Sequence, residues 1–332
     1  MLKNKSILVT GGTGSFGKEL IKRILKNYPK IKRLVIYSRD ELKQFEMSSE
    51  FNEKKYPGIR YFLGDVRDAE RLNTALRNID IVVHAAALKQ IEAAEYNPFE
   101  FVKTNIIGSQ NIVNASLNNN VSNVIALSSD KAVSPANLYG ATKLCADKLF
   151  ISANNIKGSK QIKFSIVRYG NVFASRGSVV PLFLKQQKEG RFTITDKRMT
   201  RFNMNLTDCV EMVLWCIQNN TGSEIFVPKL KSYKITDLAK AIDPKCKIKY
   251  IGSKPGEKIH ESLMDSNENN LLVDLGKYYA LVDSKKSFNK LLKKHKKLKH
   301  IKNAFEYNSG SNGTFMSVKQ IKKLVSDFKK NN

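Results

Sequence analysis

Short runs of apolar residues alternate with longer stretches of helical periodicity through the first half of the chain. The first apolar run covers residues 6–12, and in residues 17–27 apolar side chains recur every three or four positions, as on one face of a helix. This pair of patterns recurs, and a further apolar run follows at 163–171. The repeated strands are 33–39, 59–65, 79–87 and 123–129, and the repeated helices are 40–51, 68–78, about 98–118 and 138–155. Strands that are apolar on both faces are typical of a parallel sheet covered by helices on both sides, so the pattern predicts an α/β fold with a doubly wound parallel sheet.

The pattern becomes less regular after residue 171. Short strand-like runs such as 224–228 alternate with short helical stretches such as 235–242. This change predicts a smaller, mixed α/β lobe on the C-terminal side. We therefore divide the chain into residues 1–171 and 172–332, and we expect some later segments to return to the first part.

The chain is strongly basic. Its 332 residues include 57 Lys and Arg against 30 Asp and Glu, which gives a formal net charge of +27. Much of the excess lies in residues 285–305 and 319–332, without an RNA-binding signature or an aromatic stacking platform. We therefore interpret it as a solvated lysine-rich surface, with Leu291, Leu292 and Leu298 facing the core. Nucleic-acid binding is the alternative, and it predicts salt-sensitive binding to RNA.

Neither a membrane segment nor a disulfide or metal pattern is visible in the sequence. No uninterrupted apolar run reaches the roughly 18 residues that a bilayer requires, and a strand-like run begins within the first six residues, where a signal peptide would lie. The four cysteines, Cys145, Cys209, Cys216 and Cys246, have no CxxC spacing. We expect a cytoplasmic protein with no membrane partner and no metal site, in which Cys209 and Cys216 share a buried helix face.

The first strand ends in the glycine-rich stretch TGGTGSFG, which opens the first helix. Gly11, Gly14 and Gly17 stand between strand and helix, where glycine lets the backbone approach a pyrophosphate at the helix N-terminus. We include Thr13, Ser15 and Phe16 of the same loop in the site. The loop predicts that residues 1–171 form a Rossmann-like dinucleotide-binding domain. Residues 172–332, where the periodicity changes, would then form the substrate-binding lobe.

The end of the second strand indicates which dinucleotide fits. An acidic residue there binds the ribose 2′-OH of NAD, whereas a cation accommodates the 2′-phosphate of NADP. The chain offers Ser38, Arg39 and Lys43, so NADP is predicted. Asp40 favours NAD, but its place at the start of a helix also suits an N-cap. After the third strand, Asp65 and Val66 are placed to meet the adenine, and a loop-capping role is the alternative for Asp65.

The stretch SSDKAVSPANLYGATK (128–143) follows the fifth strand and enters the next helix. It contains Tyr139 and Lys143 one helical turn apart, with Ser129 ten residues before the tyrosine. Together with GxxGxxG this set resembles the extended short-chain dehydrogenase/reductase superfamily. That resemblance implies that Tyr139 exchanges a proton with a substrate hydroxyl, that Lys143 lowers the pKa of Tyr139 and holds the nicotinamide ribose, and that Ser129 steadies the developing carbonyl.

Asp130 and Lys131 add two proton-handling groups that a simple alcohol dehydrogenase does not need. They imply a second proton transfer after oxidation, because a new carbonyl acidifies the neighbouring C–H bond. A loop salt bridge is the structural alternative. We expect Lys131 to lose its proton easily, since Lys143 and a positively charged cofactor ring would lie near it.

The resemblance becomes specific over nearly the whole chain, from Gly11 to Asn312. The chain is similar to the inverting UDP-N-acetylglucosamine 4,6-dehydratases of the pseudaminic acid type, in the segments GGTGSFGK, SRDELKQ, GDVRD, HAAALKQ, EYNPFEFVKTN, SSDKAVSPANLYGATK, RYGNVFASRGSVVPLF, ITDKRMTRF, IFVPK, PGEKIHE and EYNSGSN. The resemblance implies a hydro-lyase in which Tyr139 is the base at the C4 hydroxyl, Lys131 the base at C5 and Asp130 the acid for the departing O6.

The same resemblance implies further contacts and an assembly. Ala85, Ala86, Lys89 and Thr104 would join the cofactor site, and the substrate UDP-N-acetylglucosamine would meet Lys89, Asn171, Arg176, Arg201 and Lys254. A homo-oligomer is also implied. The chain departs from the family pattern at Lys254, where an arginine precedes PGEK, at Ser129, where threonine is usual, and in TRFNMNL (200–206). Taken alone, each arginine suits a surface ion pair equally well.

Two other functions fit the sequence less completely. The first is a 4,6-dehydratase with further epimerisation, of an L-fucosamine-type nucleotide-sugar pathway. The second is a non-catalytic NADP-binding sensor on the same fold. A sensor would bind NADP and leave UDP-sugars unchanged, so turnover separates it from an enzyme.

Overall fold

The computed structural model describes residues 2–175, 177–268, 271–295, 298–303 and 305–330. Its strands are β1 (Ser6–Thr10), β2 (Arg33–Ser38), β3 (Ile59–Leu63), β4 (Ile81–His84), β5 (Asn123–Ser129), β6 (Lys163–Tyr169), β7 (Arg191–Ile194), β8 (Thr200–Asn203), β9 (Glu224–Pro228), β10 (Lys231–Lys234), β11 (Lys247–Tyr250), β12 (Ser262–Met264), β13 (Leu272–Asp274), β14 (Tyr278–Val282), β15 (Lys299–Ile301) and β16 (Tyr307–Asn308).

The helices alternate with the strands in the first half and become shorter in the second. They are α1 (Ser15–Asn27), α2 (Glu41–Glu50), α3 (Ala69–Ala75), α4 (Ile91–Tyr96), α5 (Pro98–Phe101), α6 (Gly108–Asn118), α7 (Leu138–Ile156), α8 (Val179–Gln187), α9 (Leu206–Asn219), α10 (Ile235–Ile242), α11 (Lys285–Lys294) and α12 (Val318–Lys330). None of these described helices is both long and apolar enough to cross a bilayer.

Ten of the described strands form one sheet, in the order β15-β13-β14-β9-β6-β5-β4-β1-β2-β3. From β3 to β9 every neighbouring pair is parallel. Two apolar clusters contain core residues of the sheet. One includes residues of α1 and α9, and the other includes residues of α6 and α7. This arrangement confirms the predicted α/β fold with a doubly wound parallel sheet, and it puts the point where the strand order reverses between β1 and β4.

β9 belongs to the main sheet, although we expected residues 224–228 in the smaller lobe. It lies parallel to β6, and β14, β13 and β15 then extend the sheet in antiparallel pairings. Phe226 and Val227 are fully buried. Their strand also pairs with the edge of β6, which would otherwise have no strand beside it. β9, β13, β14 and β15 therefore extend the sheet that the first part of the chain forms.

The smaller lobe is built from short two-stranded ribbons and helices. β8 pairs with β10, β7 with β11 and β12 with β16. A separate apolar cluster fills this lobe, with side chains from α8, β7, α10 and α12, among them Phe183, Phe192, Leu238 and Ile321. The lobe therefore has its own core beside the carboxyl edge of β6.

The helix predicted over about 98–118 is interrupted. A π-helical segment, Val102–Ile107, lies between α5 and α6. It turns both Thr104 and Asn105 inward, and the Asn105 side chain bonds the backbone N–H and C=O of Leu88, each at 2.9 Å. Such π segments are frequent at functional sites, and this one lies beside the switch point of the sheet.

The lysine-rich C-terminal segments are surface helices with one buried face. Leu291 is fully buried in α11, and Leu298 packs partly against the core. The prediction that Leu292 faces the core was wrong, since Leu292 is 39% exposed. Consecutive residues on a helix lie about 100° apart, and on α11 this turns Leu292 away from the buried side that Leu291 occupies. Cys209 and Cys216 are both buried in α9, as predicted.

A buried ion-pair network ties the sheet to the turn after β12. Arg168 in β6 is fully buried and lies 3.1 Å from Asp147 and 2.9 Å from Glu268. We expect Glu268→Gln to lower the free energy of unfolding by about 2 kcal/mol. Removing the sole partner of a buried charge costs about 3–5 kcal/mol, and the loss is smaller here because Asp147 still balances Arg168. Urea unfolding measures this loss.

The matched control is Glu53→Gln, which removes a carboxylate from an exposed pair with Arg60. It should change the free energy of unfolding by less than about 1 kcal/mol. Equal losses in the two variants would contradict a stabilising role for the buried network.

Candidate active site

Two cavities flank the carboxyl ends of the central strands. The first, which we call the β1–β2 cavity, has a volume of about 240 Å³ and lies at the switch point. The predicted cofactor residues that line it are Gly11, Thr13, Ser38, Arg39, Asp40, Lys43, Asp65, Val66, Ala86 and Thr104. Residues from five separate stretches of sequence therefore meet in one crevice.

The glycine-rich turn brings backbone to the floor of the β1–β2 cavity. Gly11 has φ +62°, and a Cβ atom there would lie 2.9 Å from the backbone nitrogen of Ala86. Helix α1 starts just after, with Gly14 as its N-cap and no side-chain hydrogen bond to the first turn. The turn and the uncapped helix N-terminus therefore suit an anionic group.

The far end of the β1–β2 cavity is formed after β2. Thr13 Oγ1 lies 2.8 Å from Ser38 Oγ. Asp40 is the N-cap of α2: its carboxylate accepts the backbone N–H of Lys43 at 3.0 Å and also pairs with the Lys43 ammonium. Arg39 is largely exposed, and its Nη1 lies 3.5 Å from Asp65 Oδ2. Because Asp40 already has two partners, Arg39 is the side chain most accessible to a ligand here.

Thr104 supplies an unsatisfied polar group to the β1–β2 cavity. Its side chain is buried by the π-helical segment, and its Oγ1 has no hydrogen-bond partner among the described residues. A buried hydroxyl without a partner is costly. A ligand in the β1–β2 cavity would supply the hydrogen-bond partner that this hydroxyl lacks within the described chain.

Some predicted cofactor residues lie beside the cavity and do not line it. Gly14 and Ser15 are exposed at the start of α1, and Phe16 packs against the core. Gly17 is buried where α1 meets the turn, since a Cβ there would lie 2.5 Å from Gly12 O. The other two are Ala85, whose N–H donates to Thr10, and Lys89, whose residue is exposed.

Lys143 of α7 is buried, and Tyr139 and Ser129 beside it are partly buried. Lys143 donates from Nζ to the carbonyl of Leu127 at 2.7 Å, and burial lowers its pKa. Burial raises the pKa of Tyr139 to about 12, and a hydrogen bond with Ser129 and the charge of Lys131 oppose that rise. The groups that favour the phenolate are therefore Ser129 and Lys131.

Lys131 lies between two carboxylates. Its Nζ is 3.1 Å from both carboxylate oxygens of Asp130 and 2.8 Å from Oε1 of Glu261. Asp130 is 1% exposed, and the Glu261 side chain 2%. Burial raises the pKa of Asp130, and the charge of Glu261 raises it further. The turn Asp130–Ala132 after β5 therefore presents an acid and an ammonium in one buried cluster.

The expected loss of a proton from Lys131 is not what the structure shows. Burial alone would lower the pKa of Lys131, but the charges of Asp130 and Glu261 outweigh burial and raise it. Burial alone would raise the pKa of Glu261. The charges of Lys131 and Arg201 outweigh burial and lower that pKa, which favours the ionised carboxylate. Lys131 is thus an ammonium between the carboxyl groups of Asp130 and Glu261, and the pKa of Asp130 is raised whereas that of Glu261 is lowered.

Sequence reasoning missed Glu261. It lies 130 residues after Lys131, in the loop before β12, and nothing in its spacing connects it to the turn after β5. The one available signal was the segment PGEKIHE, which carries part of the family resemblance and ends at Glu261.

The second cavity, which we call the lobe cavity, has a volume of about 230 Å³ and lies between the end of β6 and the smaller lobe. Asn171 and Arg201 both line it, and Oδ1 of Asn171 is buried without a partner in the described chain. Arg201 donates to the carbonyls of Thr200 and Ile259, and its Nε is 3.7 Å from Glu261 Oε1. This arginine therefore joins the lobe cavity to the Asp130–Lys131 cluster.

Two predicted substrate residues of the described ranges, Lys89 and Lys254, do not line this cavity. Lys254 lines neither cavity; its side chain is 58% exposed and pairs with Glu92 at 2.7 Å. Arg176 lies outside the described residues. Within the described ranges, no group of three or more His, Cys, Asp or Glu side chains is arranged to hold a metal ion.

Comparison with known proteins agrees with this arrangement. A protein of Campylobacter jejuni subsp. jejuni serotype O:2, named UDP-N-acetylglucosamine 4,6-dehydratase (inverting), is 50% identical over 98% of this chain and 98% of its own. A Rickettsia massiliae protein named UDP-glucose 4-epimerase is 42% identical over 85% of this chain and 84% of its own. The solved structure of Pen from Bacillus thuringiensis matches with a TM-score of 0.89 and 36% identity, over 99% of each chain.

The family assignment rests on a match to most of the chain. The model of the polysaccharide biosynthesis protein family matches residues 7–283, from β1 to the end of β14. That range includes the glycine-rich turn, the Asp130–Lys131 cluster and Glu261. The chain belongs to the polysaccharide biosynthesis protein family, within the extended short-chain dehydrogenases/reductases, and resembles their inverting UDP-N-acetylglucosamine 4,6-dehydratases.

Proposed function

We propose that this protein is an inverting UDP-N-acetylglucosamine 4,6-dehydratase, a hydro-lyase whose product is UDP-2-acetamido-2,6-dideoxy-β-L-arabino-hexos-4-ulose. The observation that carries the proposal is the buried Asp130–Lys131 pair beside Ser129 and Tyr139, in a chain 50% identical to a protein of that name. A plain oxidoreductase needs the tyrosine and no such pair, whereas elimination of water needs a further acid and base.

The cofactor in this proposal is NADP⁺, held in the β1–β2 cavity. The Gly11 turn and the N-terminus of α1 suit its pyrophosphate, and the unpartnered Thr104 hydroxyl supports a ligand there. Arg39 and Lys43 would accommodate the 2′-phosphate, since Asp40 is engaged as the N-cap of α2. A nicotinamide bound here would supply the hydride chemistry of the reaction, between sugar C4 and C6.

Tyr139 would take the proton of the C4 hydroxyl. Its phenolate is the form that accepts this proton, and the structure keeps Ser129 and Lys131 close enough to favour that form. Ser129 would also steady the developing carbonyl, and Lys143 would hold the nicotinamide ribose from its buried position. The proton then resides on the Tyr139 oxygen.

Asp130 and Lys131 would carry out the elimination. The C5–H bond breaks and its proton goes to the amine of Lys131, and the electron pair forms the C5–C6 double bond. The C6–O6 bond breaks at the same time, and O6 takes the proton of Asp130 and leaves as water. Because Lys131 is an ammonium in the structure, it must first pass a proton to a neighbouring carboxylate.

The lobe cavity would hold the UDP portion of the substrate. Arg201 is the charged group within it, and we assign it to the diphosphate, with Asn171 and Lys89 beside the sugar. Arg176 and Lys254 remain proposed substrate contacts as well, and Lys254 would have to leave Glu92. In this assignment residues 1–171 form the NADP-binding domain, whose sheet β9, β13, β14 and β15 extend, and the remaining parts of 172–332 form the substrate-binding lobe.

We further propose a cytoplasmic homo-oligomer that serves pseudaminic acid biosynthesis and binds neither nucleic acid nor membrane. The lysine-rich helices α11 and α12 are then a solvated surface, as their exposed lysines suggest. A related L-fucosamine-type dehydratase/epimerase shares the first steps, so only its later products separate it from this proposal.

The test is incubation of the purified protein with UDP-N-acetylglucosamine, followed by mass spectrometry and NMR. We expect loss of one water, a new 6-methyl signal and no net reduced cofactor. A C4 epimer with unchanged mass would instead support the 4-epimerase activity named for the Rickettsia relative. An unchanged sugar with bound NADP would support a sensor.

Arg39→Ala tests the choice of cofactor. Arg39 lines the cavity with only a 3.5 Å partner, so we expect its loss to weaken NADP⁺ binding about tenfold while NAD⁺ binding stays the same. Calorimetric titration with each dinucleotide measures this. Arg60→Ala is the matched control, because Arg60 is a surface arginine outside the cavity; an equal loss for both dinucleotides in Arg39→Ala would contradict the assignment.

A further inference from the structure

Glu261 is a third ionisable group at the proposed elimination site, and it is neither the proposed acid nor the proposed base. Its side chain is 2% exposed, and its Oε1 lies 2.8 Å from Lys131 Nζ. Its Oε2 is buried and has no hydrogen-bond partner among the described residues. A buried carboxylate is expensive unless a cation balances it, so this residue requires an explanation.

The backbone of Glu261 is fixed from both sides. Its N–H donates to Ser309 Oγ at 2.9 Å, and its carbonyl accepts the N–H of Ser309 at 2.8 Å. Ser309 is fully buried and is bonded in turn to Thr200, next to Arg201. The carboxylate is therefore held at Lys131 by the frame of the smaller lobe.

We propose that Glu261 is a positioning residue: it serves as the counter-ion of Lys131 and thereby leaves Asp130 able to keep the proton that the departing O6 requires. The inference rests on the proposed dehydration. Lys131 contacts both carboxylates, and one ammonium balances one negative charge. With Glu261 ionised, the three buried groups are neutral in sum while Asp130 is protonated.

The surrounding charges agree with this distribution. Glu261 faces Lys131, Arg201 and Lys258, all cations, which favour its ionised form over the cost of burial. Asp130 faces Lys131, Glu261, Ser129 and Lys258. Burial and the charge of Glu261 raise its pKa, and they outweigh Lys131 and Ser129, which favour its ionised form. Tyr139, the remaining titratable neighbour, faces Ser129, Lys131, Asp130 and Asp147.

Glu261 also offers the place to which Lys131 can pass its proton. Along the 2.8 Å contact, the N–H bond of the ammonium breaks and an O–H bond forms on Glu261, which leaves an amine and a carboxylic acid. After elimination, Asp130 is ionised, Lys131 is again an ammonium and Glu261 holds one proton. Lys131 contacts both carboxylates, so it can return that proton from Glu261 to Asp130, and no other reactant is needed.

The test compares Glu261→Gln, Glu261→Asp and the control Glu268→Gln with the unchanged protein. In Glu261→Gln, Asp130 becomes the sole carboxylate partner of Lys131 and ionises. Because Asp130 works as an acid, activity falls as pH rises through its pKa, and this limb should move at least about one pH unit lower. We expect kcat near neutral pH to fall about tenfold or more with KM nearly unchanged, while C4 oxidation in a single turnover persists.

The two other variants separate this role from a purely structural one. Glu261→Asp keeps the charge and should restore the pH profile in part. Glu268→Gln removes a carboxylate from the Arg168 pair, so it should lower stability and leave the profile unchanged. A Glu261→Gln profile that superimposes on that of the unchanged protein would overturn the inference. A parallel loss of oxidation and elimination that Glu261→Asp does not restore would do the same.

A second readout needs no turnover and keeps the inference separate from the proposed reaction. Infrared spectra of the unchanged protein minus Asp130→Asn should contain the carbonyl stretch of a protonated carboxyl near neutral pH. The same difference taken in the Glu261→Gln background should lack it. Absence of the band from the unchanged protein overturns the inference, whereas its presence in a protein that dehydrates no UDP-sugar means that only the proposed reaction fails.

Discussion

Lys131→Met is expected to lower the rate of dehydration by about 10³-fold, within the range that a positioned acid or base contributes. The substitution removes the proposed base at C5 and also the counter-ion of Glu261. Oxidation at C4 should persist in a single turnover, because Tyr139, Ser129 and Lys143 remain, but it should be slower, because the charge of Lys131 no longer favours the phenolate of Tyr139. Product formation followed by NMR, beside the transient absorbance of reduced nicotinamide, measures the two steps separately.

Lys157→Met is the matched control for this variant. Lys157 is a partly buried lysine that donates to the carbonyl of Ile162, before the start of β6 and away from the carboxyl edge of the sheet. It should leave both steps unchanged. Retention of full dehydration in a folded Lys131→Met protein would contradict the role of Lys131.

Tyr139→Phe is expected to lower the rate of C4 oxidation by about 10²–10³-fold, because the hydroxyl proton of the substrate then has no positioned acceptor. Since burial raises the pKa of Tyr139 to about 12, little phenolate exists at neutral pH in the free protein. The oxidation rate of the unchanged protein should therefore rise with pH. Rapid-mixing absorbance of the reduced nicotinamide, measured across a pH series, checks both expectations.

Tyr61→Phe is the control, since the Tyr61 hydroxyl bonds the carbonyl of Phe51 beside β3, outside both cavities. Its oxidation rate and pH dependence should match those of the unchanged protein. Normal reduction of the cofactor by Tyr139→Phe would assign the C4 proton to another group.

The parallel half of the sheet could be predicted because its signal is local. Strands buried on both faces are continuous apolar runs, and β5 was predicted at its observed bounds, residues 123–129. β9 was assigned to the wrong part, because its pairing with Ile166 and Val167 joins segments almost 60 residues apart. The sequence of a short apolar strand does not show which edge strand of a sheet it will pair with.

The candidate site divides in the same way. Ser129, Asp130, Lys131, Tyr139 and Lys143 lie within one strand–turn–helix unit, so their spacing alone brought them together. Glu261 reaches Lys131 only because Ser309 and Thr200 hold the loop before β12 in the smaller lobe. The proton state of Lys131 could not be predicted without that neighbour, since it depends on a charge 130 residues away.

The most direct test of the central claim is NMR of the product formed from UDP-N-acetylglucosamine in D₂O by the unchanged protein. We predict a 4-keto-6-deoxy sugar of L-arabino configuration, with solvent deuterium at C5 and a 6-methyl group whose transferred hydrogen comes from C4. A 6-deoxy product that keeps the original C5 configuration would contradict inversion, and a sugar that keeps O6 would contradict dehydration by Asp130 and Lys131.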